Sequence, residues 1–379
     1  MRKSESGMLR GLVARPCLGA QLGGRDNHFN LLRIIAAYAV MVSHAFAITT
    51  GREALEPLRI ATGHSLGEYA VAVFFGISGL LIARSFDRRA SFAHFLTARI
   101  LRLFPALLVV LALSAFVLGP VVSAFDARSY FLASGTWSYV PRNLFLVFRI
   151  DTLPGVFVDN PRPLLVNSPL WSLFYEVFCY GMVVLVGYCG LLRYKPAFAL
   201  FLLLAVAGHL LSVFFQPAEG LAYRLDVLGF AGFPFALGMA AYVWRDHLPL
   251  GAVPAALLWL FVLVAASTPL LASAIMVATV YTALWMALVP KGPLLRYNAL
   301  GDFSYGFYIF AWPIQQTLAY YAMTTTPLAN VVVTTPLMLA FSYASWHLIE
   351  EPSLNHARQM GDQLWAAWNR CFGMKQPVP

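Results

Sequence analysis

The sequence predicts an all-α fold, a polytopic integral membrane bundle of about ten transmembrane helices, and three observations carry that expectation. Of the 379 residues, 60% are hydrophobic and only 11% are charged, against about 25% charged residues in a soluble globular domain. The apolar residues gather in segments of spanning or near-spanning length. The net charge of +9 lies in short connections and tails between those segments. That is the distribution the positive-inside rule requires, so the basic balance implies no nucleic-acid partner.

In chain order the apolar segments run near 29–49, 69–86, 103–122, 169–190, 196–215, 227–244, 252–268, 271–290, 303–322 and 327–349. Several are shorter than the ~20 residues of a perpendicular span, which implies tilt or partial re-entry. With the N-terminus inside, the inner connections hold Arg84, Arg88, Arg89, Arg99 and Arg102, then Arg193 and Lys195, then Arg245, then Lys291 and Arg296. The N-terminal tail adds Arg2, Lys3, Arg10, Arg15 and Arg25. On the other side, Arg52 and Arg59 are matched by Glu53, Glu56 and Glu68. Both termini are therefore expected in the cytoplasm, in a multi-pass protein of the cell (inner) membrane.

The expected organisation is one membrane domain at 29–350, between a cytoplasmic N-terminal tail at 1–28 and a cytoplasmic C-terminal tail at 351–379. The first 28 residues lack a continuous apolar core, which argues against a cleaved signal peptide. The longest outer connection is 121–168, whose apolar portion 140–158 is interrupted by Pro141, Arg142, Arg149, Asp151 and Pro154. Those residues are expensive in lipid, so this portion is expected to be interfacial or re-entrant. Cys17, Cys179, Cys189 and Cys371 lack metal-ligand spacing, and neither a disulfide framework nor a metal site is expected. No inverted repeat of the transporter kind is present.

Arg33 and His44 are the most informative pair. Eleven residues at roughly 100° each return close to the starting azimuth, so both side chains share one helix face, roughly 16 Å apart along the axis. Ionisable groups inside a membrane face a bundle interior or a watery cavity, and mark function.

Six segments then resemble one family in order. They are Phe29 to Ala37 through His44; Phe74-Phe75-Gly76-Ile77-Ser78-Gly79; Arg99-Ile100-Leu101-Arg102 followed by Phe104-Pro105; Trp171-Ser172-Leu173-Phe174-Tyr175-Glu176 with Tyr180; Ser304-Tyr305-Gly306-Phe307-Tyr308 with Pro313; and Trp346 to Glu350, Glu351 and Pro352. The chain resembles the membrane acyltransferase-3 family, in its stand-alone form without an appended hydrolase-like domain. Many members carry a histidine two residues before the proline of the ninth helix, where this chain has Ala311. The resemblance implies an integral membrane O-acyltransferase that moves an acyl group, acetyl foremost, from cytoplasmic acyl-CoA to a hydroxyl of a sugar. The acceptor would belong to a lipopolysaccharide, exopolysaccharide or other surface or exported glycan, lipid-linked or free. It implies acyl-CoA as co-substrate and no cofactor.

On that reading His44 is the general base, since neutral imidazole suits proton abstraction near neutral pH. Counted along their helices, His44 and Glu176 lie at depths that agree within about 3 Å. Glu176 has two readings: catalytic support of His44, or a packing anchor through Tyr180 one turn away. Arg99 and Arg102 suit the donor's phosphates, against the plainer reading of topology-setting charge. Arg33 either joins them or snorkels to the interface. Tyr180, Ser304 and Tyr305 complete the expected substrate-binding set, with Asp302 read first as a helix cap. Ser78-Gly79 reads as a close-packing site, and Glu350 and Glu351 as solvated or paired with loop arginines at the cytoplasmic surface. The alternative to an enzyme is a transporter of a lipid-linked glycan or small solute.

Overall fold

The computed structural model describes residues 17–24, 26–88, 92–215 and 220–372. The N-terminal charges through Arg15, together with Arg25 and Arg89, lie outside the described residues. Those described are helical, without a strand beyond two isolated bridges. The main helices are α1 (Phe29–Thr50), α2 (Leu66–Arg88), α3 (Phe92–Leu113), α4 (Ser134–Leu144), α5 (Trp171–Tyr188), α6 (Lys195–Phe214), α7 (Gly220–Val243), α8 (Ala252–Val264), α9 (Leu271–Leu288), α10 (Ser304–Tyr320), α11 (Pro327–Ser345) and α12 (Glu351–Phe372). Among the described residues, eight helices are long and apolar enough to cross a membrane. The other two expected spans are the shorter apolar helix Ala252–Ser267 and the 17-residue α10. At 1.5 Å per residue, 17 residues reach about 26 Å, just short of a ~30 Å hydrocarbon layer.

Two compact units share the chain: residues 1–32, 72–84 and 186–299 form one, and 33–71, 85–185 and 300–379 the other. In the first unit small residues let backbones touch. A Cβ on Gly79 would collide with the carbonyl of Phe235, and one on Gly238 with that of Gly76. Ser78-Gly79 is thus a packing site, as the sequence suggests. Buried His209 stacks on Phe233 at 4.1 Å and bonds Ser273 through Nε2 at 2.8 Å, joining α6, α7 and α9.

The second unit departs from expectation at two helix ends. The helix carrying Arg99 and Arg102 begins at Phe92 rather than near 103, with Pro105 inside it, so both arginines lie within α3. At its far end a π turn, Ser114–Leu118, leads into Gly119–Val122. Tyr130 donates a 2.7 Å hydrogen bond to the Ala115 carbonyl in that turn, as such bulges free carbonyls for side chains. Similarly α11 runs through a π turn, Trp346–Glu350, into α12. The segment expected as a tail is therefore a 22-residue helix. It packs on the start of α3, where His94 meets Asp362 at 2.8 Å.

The long connection holds a short helix, Ala127–Leu132, and α4, then an irregular stretch from 145 to 167. Asn143, buried within α4, donates to the carbonyls of Tyr139 and Ile150, folding the stretch back on the helix. Arg149 pairs with Asp151 at 2.5 Å. The expected matching of Arg59 is present: it meets Glu68 at 2.8 Å and Glu53 at 3.9 Å, while Glu56 caps the helix Pro57–Thr62.

Candidate active site

Arg33 and His44 both turn toward the segment that contains α10, in agreement with one shared face. Arg33 Nη1 donates to Asp302 Oδ2 at 3.2 Å, just before α10. His44 meets the ring of Trp312, inside α10, edge-on at 4.9 Å and 78°. Two clusters result, one near each end of α1.

The first cluster is ionic. Arg102 Nη2 donates to Asp302 Oδ2 at 2.6 Å, and its Nη1 to Glu350 Oε2 at 3.2 Å. The guanidinium also lies over the rings of Tyr305 and Trp346 at 5.8 and 5.7 Å. Asp302 caps α10 as the sequence suggests, accepting from the Ser304 hydroxyl at 2.5 Å and its amide at 3.3 Å. Its second oxygen takes both arginines, a role the capping pattern does not reveal. Burial opposes ionisation of Asp302, and the Arg102 and Arg33 charges more than offset it, holding the carboxyl below the ordinary range.

Glu350 corrects the sequence reading. It does pair with an arginine assigned to the inner connections, Arg102, but inside the protein rather than at its surface: the residue is 1% exposed and also accepts from the Ser345 hydroxyl at 2.8 Å. The π turn that ends in Glu350 brings this carboxylate inward, and Gly306 makes room for it. A Cβ on Gly306 would lie 2.9 Å from the Ser345 side chain and 3.0 Å from Glu350 Oε1. Glu351, by contrast, pairs on the surface with His347 at 3.1 Å.

Arg99 is unlike its neighbours. It makes no ion pair among the described residues, and its buried Nε has no hydrogen-bond partner there. Its guanidinium lies over Tyr180 at 5.9 Å. Tyr180 in turn donates to Glu176. The Glu176–Tyr180 anchor is thus present, whereas the His44 Nδ1 is buried without any hydrogen-bond partner among the described residues. No carboxylate bonds that nitrogen. Tyr305 donates to the Leu103 carbonyl of α3 at 2.9 Å, and Tyr308 to the Pro169 carbonyl at 3.0 Å while pairing with Ser172 at 2.8 Å. Of the expected substrate-binding residues, Arg33, Arg99, Arg102, Tyr180, Ser304 and Tyr305 all belong to this end of the unit.

The second cluster is neutral. Trp312, 2% exposed, packs with Ala47 and Ile48 of α1, and its Nε1–H donates to the Leu165 carbonyl at 3.0 Å. Gln315 Nε2 donates to the Met41 carbonyl of α1 at 3.0 Å and to Asn330 of α11 at 2.7 Å. These contacts set α1, α10 and α11 around the imidazole. Sequence reasoning overlooked Trp312. Its signal was the bulky aromatic directly before Pro313, one residue after Ala311 in the ninth expected span. No group of three or more His, Cys, Asp or Glu that could hold a metal occurs among the described residues.

Residues 26–347 match a family model described as an acyltransferase domain, that of acyltransferase-3. An O-acetyl transferase of Shigella phage Sf6 is 26% identical over 346 residues, covering 88% of this chain and 97% of that protein. Nodulation protein 10 of Rhizobium leguminosarum bv. viciae is 26% identical over 373 residues, covering 87% of this chain and 94% of that protein. No solved structure matches the chain significantly.

Proposed function

The chain belongs to the acyltransferase-3 family of membrane acyltransferases, and from that premise we propose that it carries acetyl from cytoplasmic acetyl-CoA to a sugar hydroxyl of a surface or exported glycan. The observation that carries the donor assignment is the unequal state of the arginines. Arg102 is saturated by two carboxylates, and Arg33 shares one of them. Arg99, beside them, makes no ion pair among the described residues, and its buried Nε has no hydrogen-bond partner there. Guanidinium binds phosphate through paired donors, so Arg99 is the cation that meets the donor's phosphates, in a frame built by Arg102, Asp302 and Glu350. This narrows the sequence reading, which gave Arg99 and Arg102 the same role.

Chemistry belongs at His44. The sugar oxygen attacks the thioester carbonyl carbon while His44 accepts the hydroxyl proton. As the carbon–sulfur bond breaks, the departing sulfur takes that proton, leaving acetylated sugar, free thiol and neutral imidazole. Glu176 acts as the anchor of Tyr180, and through its ring of Arg99, rather than as the partner of His44. The orientation that suits this reaction places the arginine end and both termini at the cytoplasmic side of the inner membrane, with His44 nearer the outer side.

The name of one relative, an O-acetyl transferase, supports acetyl as the group carried. Mass spectrometry of surface glycans from wild-type and deletion cells tests the proposal, together with thiol release from acetyl-CoA by the purified protein. Loss of a glycan acetyl group in the deletion strain is expected. An unchanged glycan profile, with no thiol released in the presence of membrane glycans, would overturn it.

A further inference from the structure

The irregular segment 159–167 is tied across the end of the helix pair that carries His44. On the α10 side, Gln316 Nε2 donates to the carbonyls of Arg162 and Leu165 at 2.8 and 3.0 Å. Asn160 Nδ2 donates back to the Gln316 carbonyl and its Oε1 at 2.9 and 2.7 Å, and Asn167 Nδ2 reaches the Ile309 carbonyl at 2.9 Å. On the α1 side, Gly51 (φ 71°) lies so close to Pro161 that a Cβ would sit 2.5 Å from its carbonyl oxygen. Arg162 then pairs with Glu53 at 3.0 Å. His44 lies seven residues, or about two turns, inside that end.

Trp312 is where this strap and the imidazole meet. Indole has one polar atom, and here that atom is spent on the Leu165 carbonyl of the strap. The bond fixes the ring's rotation, and the ring edge-on against His44 fixes the imidazole plane. No carboxylate among the described residues bonds the buried His44 Nδ1. We infer that Trp312 is the positioning residue for His44, and that the 159–167 strap forms the acceptor-side wall of the site, deciding which polyhydroxyl compound reaches the imidazole. This inference rests on the reading of His44 as the base. It separates acceptor selection from donor binding, since the arginine cluster lies roughly 16 Å away along α1.

The test uses the full chain in lipid nanodiscs with Trp312→Leu, Trp312→Phe and Gln316→Leu. Carbethoxylation of His44 by diethyl pyrocarbonate, read peptide by peptide in a mass spectrometer, reports its packing whether or not the protein turns over. Trp312→Leu is expected to raise the His44 rate about tenfold, the scale of one lost aromatic contact, and Trp312→Phe, which keeps a ring without the bond, to raise it less.

With acetyl-CoA as donor and membranes of the deletion strain as acceptor, Trp312→Leu is expected to lower kcat about tenfold or more at unchanged KM for acetyl-CoA. Phe should restore most of it. Trp312→Phe and Gln316→Leu, which both loosen the strap, should lower the ratio of acetylated glycan to thiol released. An unchanged His44 rate in Trp312→Leu overturns the inference, as does a loss of kcat that only tracks loss of folded protein. If the native protein releases no thiol from acetyl-CoA, the donor reading falls instead, and the His44 rate alone decides the role of Trp312.

Discussion

The two ends of one helix face solve the problem of polar groups in a membrane in opposite ways. At the Arg33 end, two cations and two carboxylates tie α1 and α3 to the start of α10 and the turn after α11, with Arg102 held between Asp302 and Glu350. At the His44 end the same face meets an indole and the Gln315 amide, while that indole and Gln316 are tied to backbone carbonyls of the strap. On the proposed reading the ionic end would bind a charged donor and hold its own shape at once, the two tasks falling to different arginines. The neutral end leaves one titratable group without a charged partner, which suits a base that must gain and lose a proton. Ion pairs build the frame, and the least satisfied polar groups are the ones to which the proposal gives the binding and the chemistry.

The largest expected effect breaks the ionic frame. Arg102→Ala leaves two buried carboxylates short of a cation, and losing one partner of such a cluster costs about 3–5 kcal/mol. Thermal unfolding in detergent should show a large fall for Arg102→Ala and little change for Arg99→Ala, since Arg99 makes no ion pair among the described residues and its buried Nε has no hydrogen-bond partner there. Equal shifts would erase the distinction between the two arginines. Glu350→Gln keeps the shape, and Arg102 retains Asp302, so a smaller loss of about 1–3 kcal/mol is expected in the same melt.

Arg99→Ala should act on ligand rather than fold. A charge-assisted contact contributes about 1.5–3 kcal/mol, so the Kd for acetyl-CoA should rise roughly tenfold or more by calorimetry. The smallest effect belongs to Glu176→Gln. An amide oxygen can still accept from Tyr180, so turnover should stay within about threefold of native. A hundredfold loss without unfolding would return Glu176 to proton transfer.

Much of this was legible in the sequence because it follows from periodicity and charge. The shared face of Arg33 and His44 needs only the helix repeat, and the ten helical segments need only runs of apolar residues. The start of α3 was not legible. Arg99 and Arg102 interrupt the apolar run, and they are tolerated within the helix because rings and carboxylates elsewhere in the chain receive them. Glu350 was misplaced for a related reason: two glutamates before a proline look like a helix end at the surface, and a π turn leaves no plain mark in sequence. Trp312 and the strap depend on contacts between residues more than a hundred positions apart, which spacing along one helix cannot reveal.

The most direct test of the division of labour is a crossed pair of measurements on well-folded His44→Gln and Arg99→Ala proteins: acetyl-CoA affinity by calorimetry and acetyl transfer by thiol release. His44→Gln should bind donor like the native protein while losing roughly 10²–10⁴-fold in turnover. Arg99→Ala should bind about tenfold or more weakly yet recover much of its turnover at saturating donor. Near-native transfer by His44→Gln, or donor affinity lost equally in both proteins, would contradict the separation of binding from chemistry along α1.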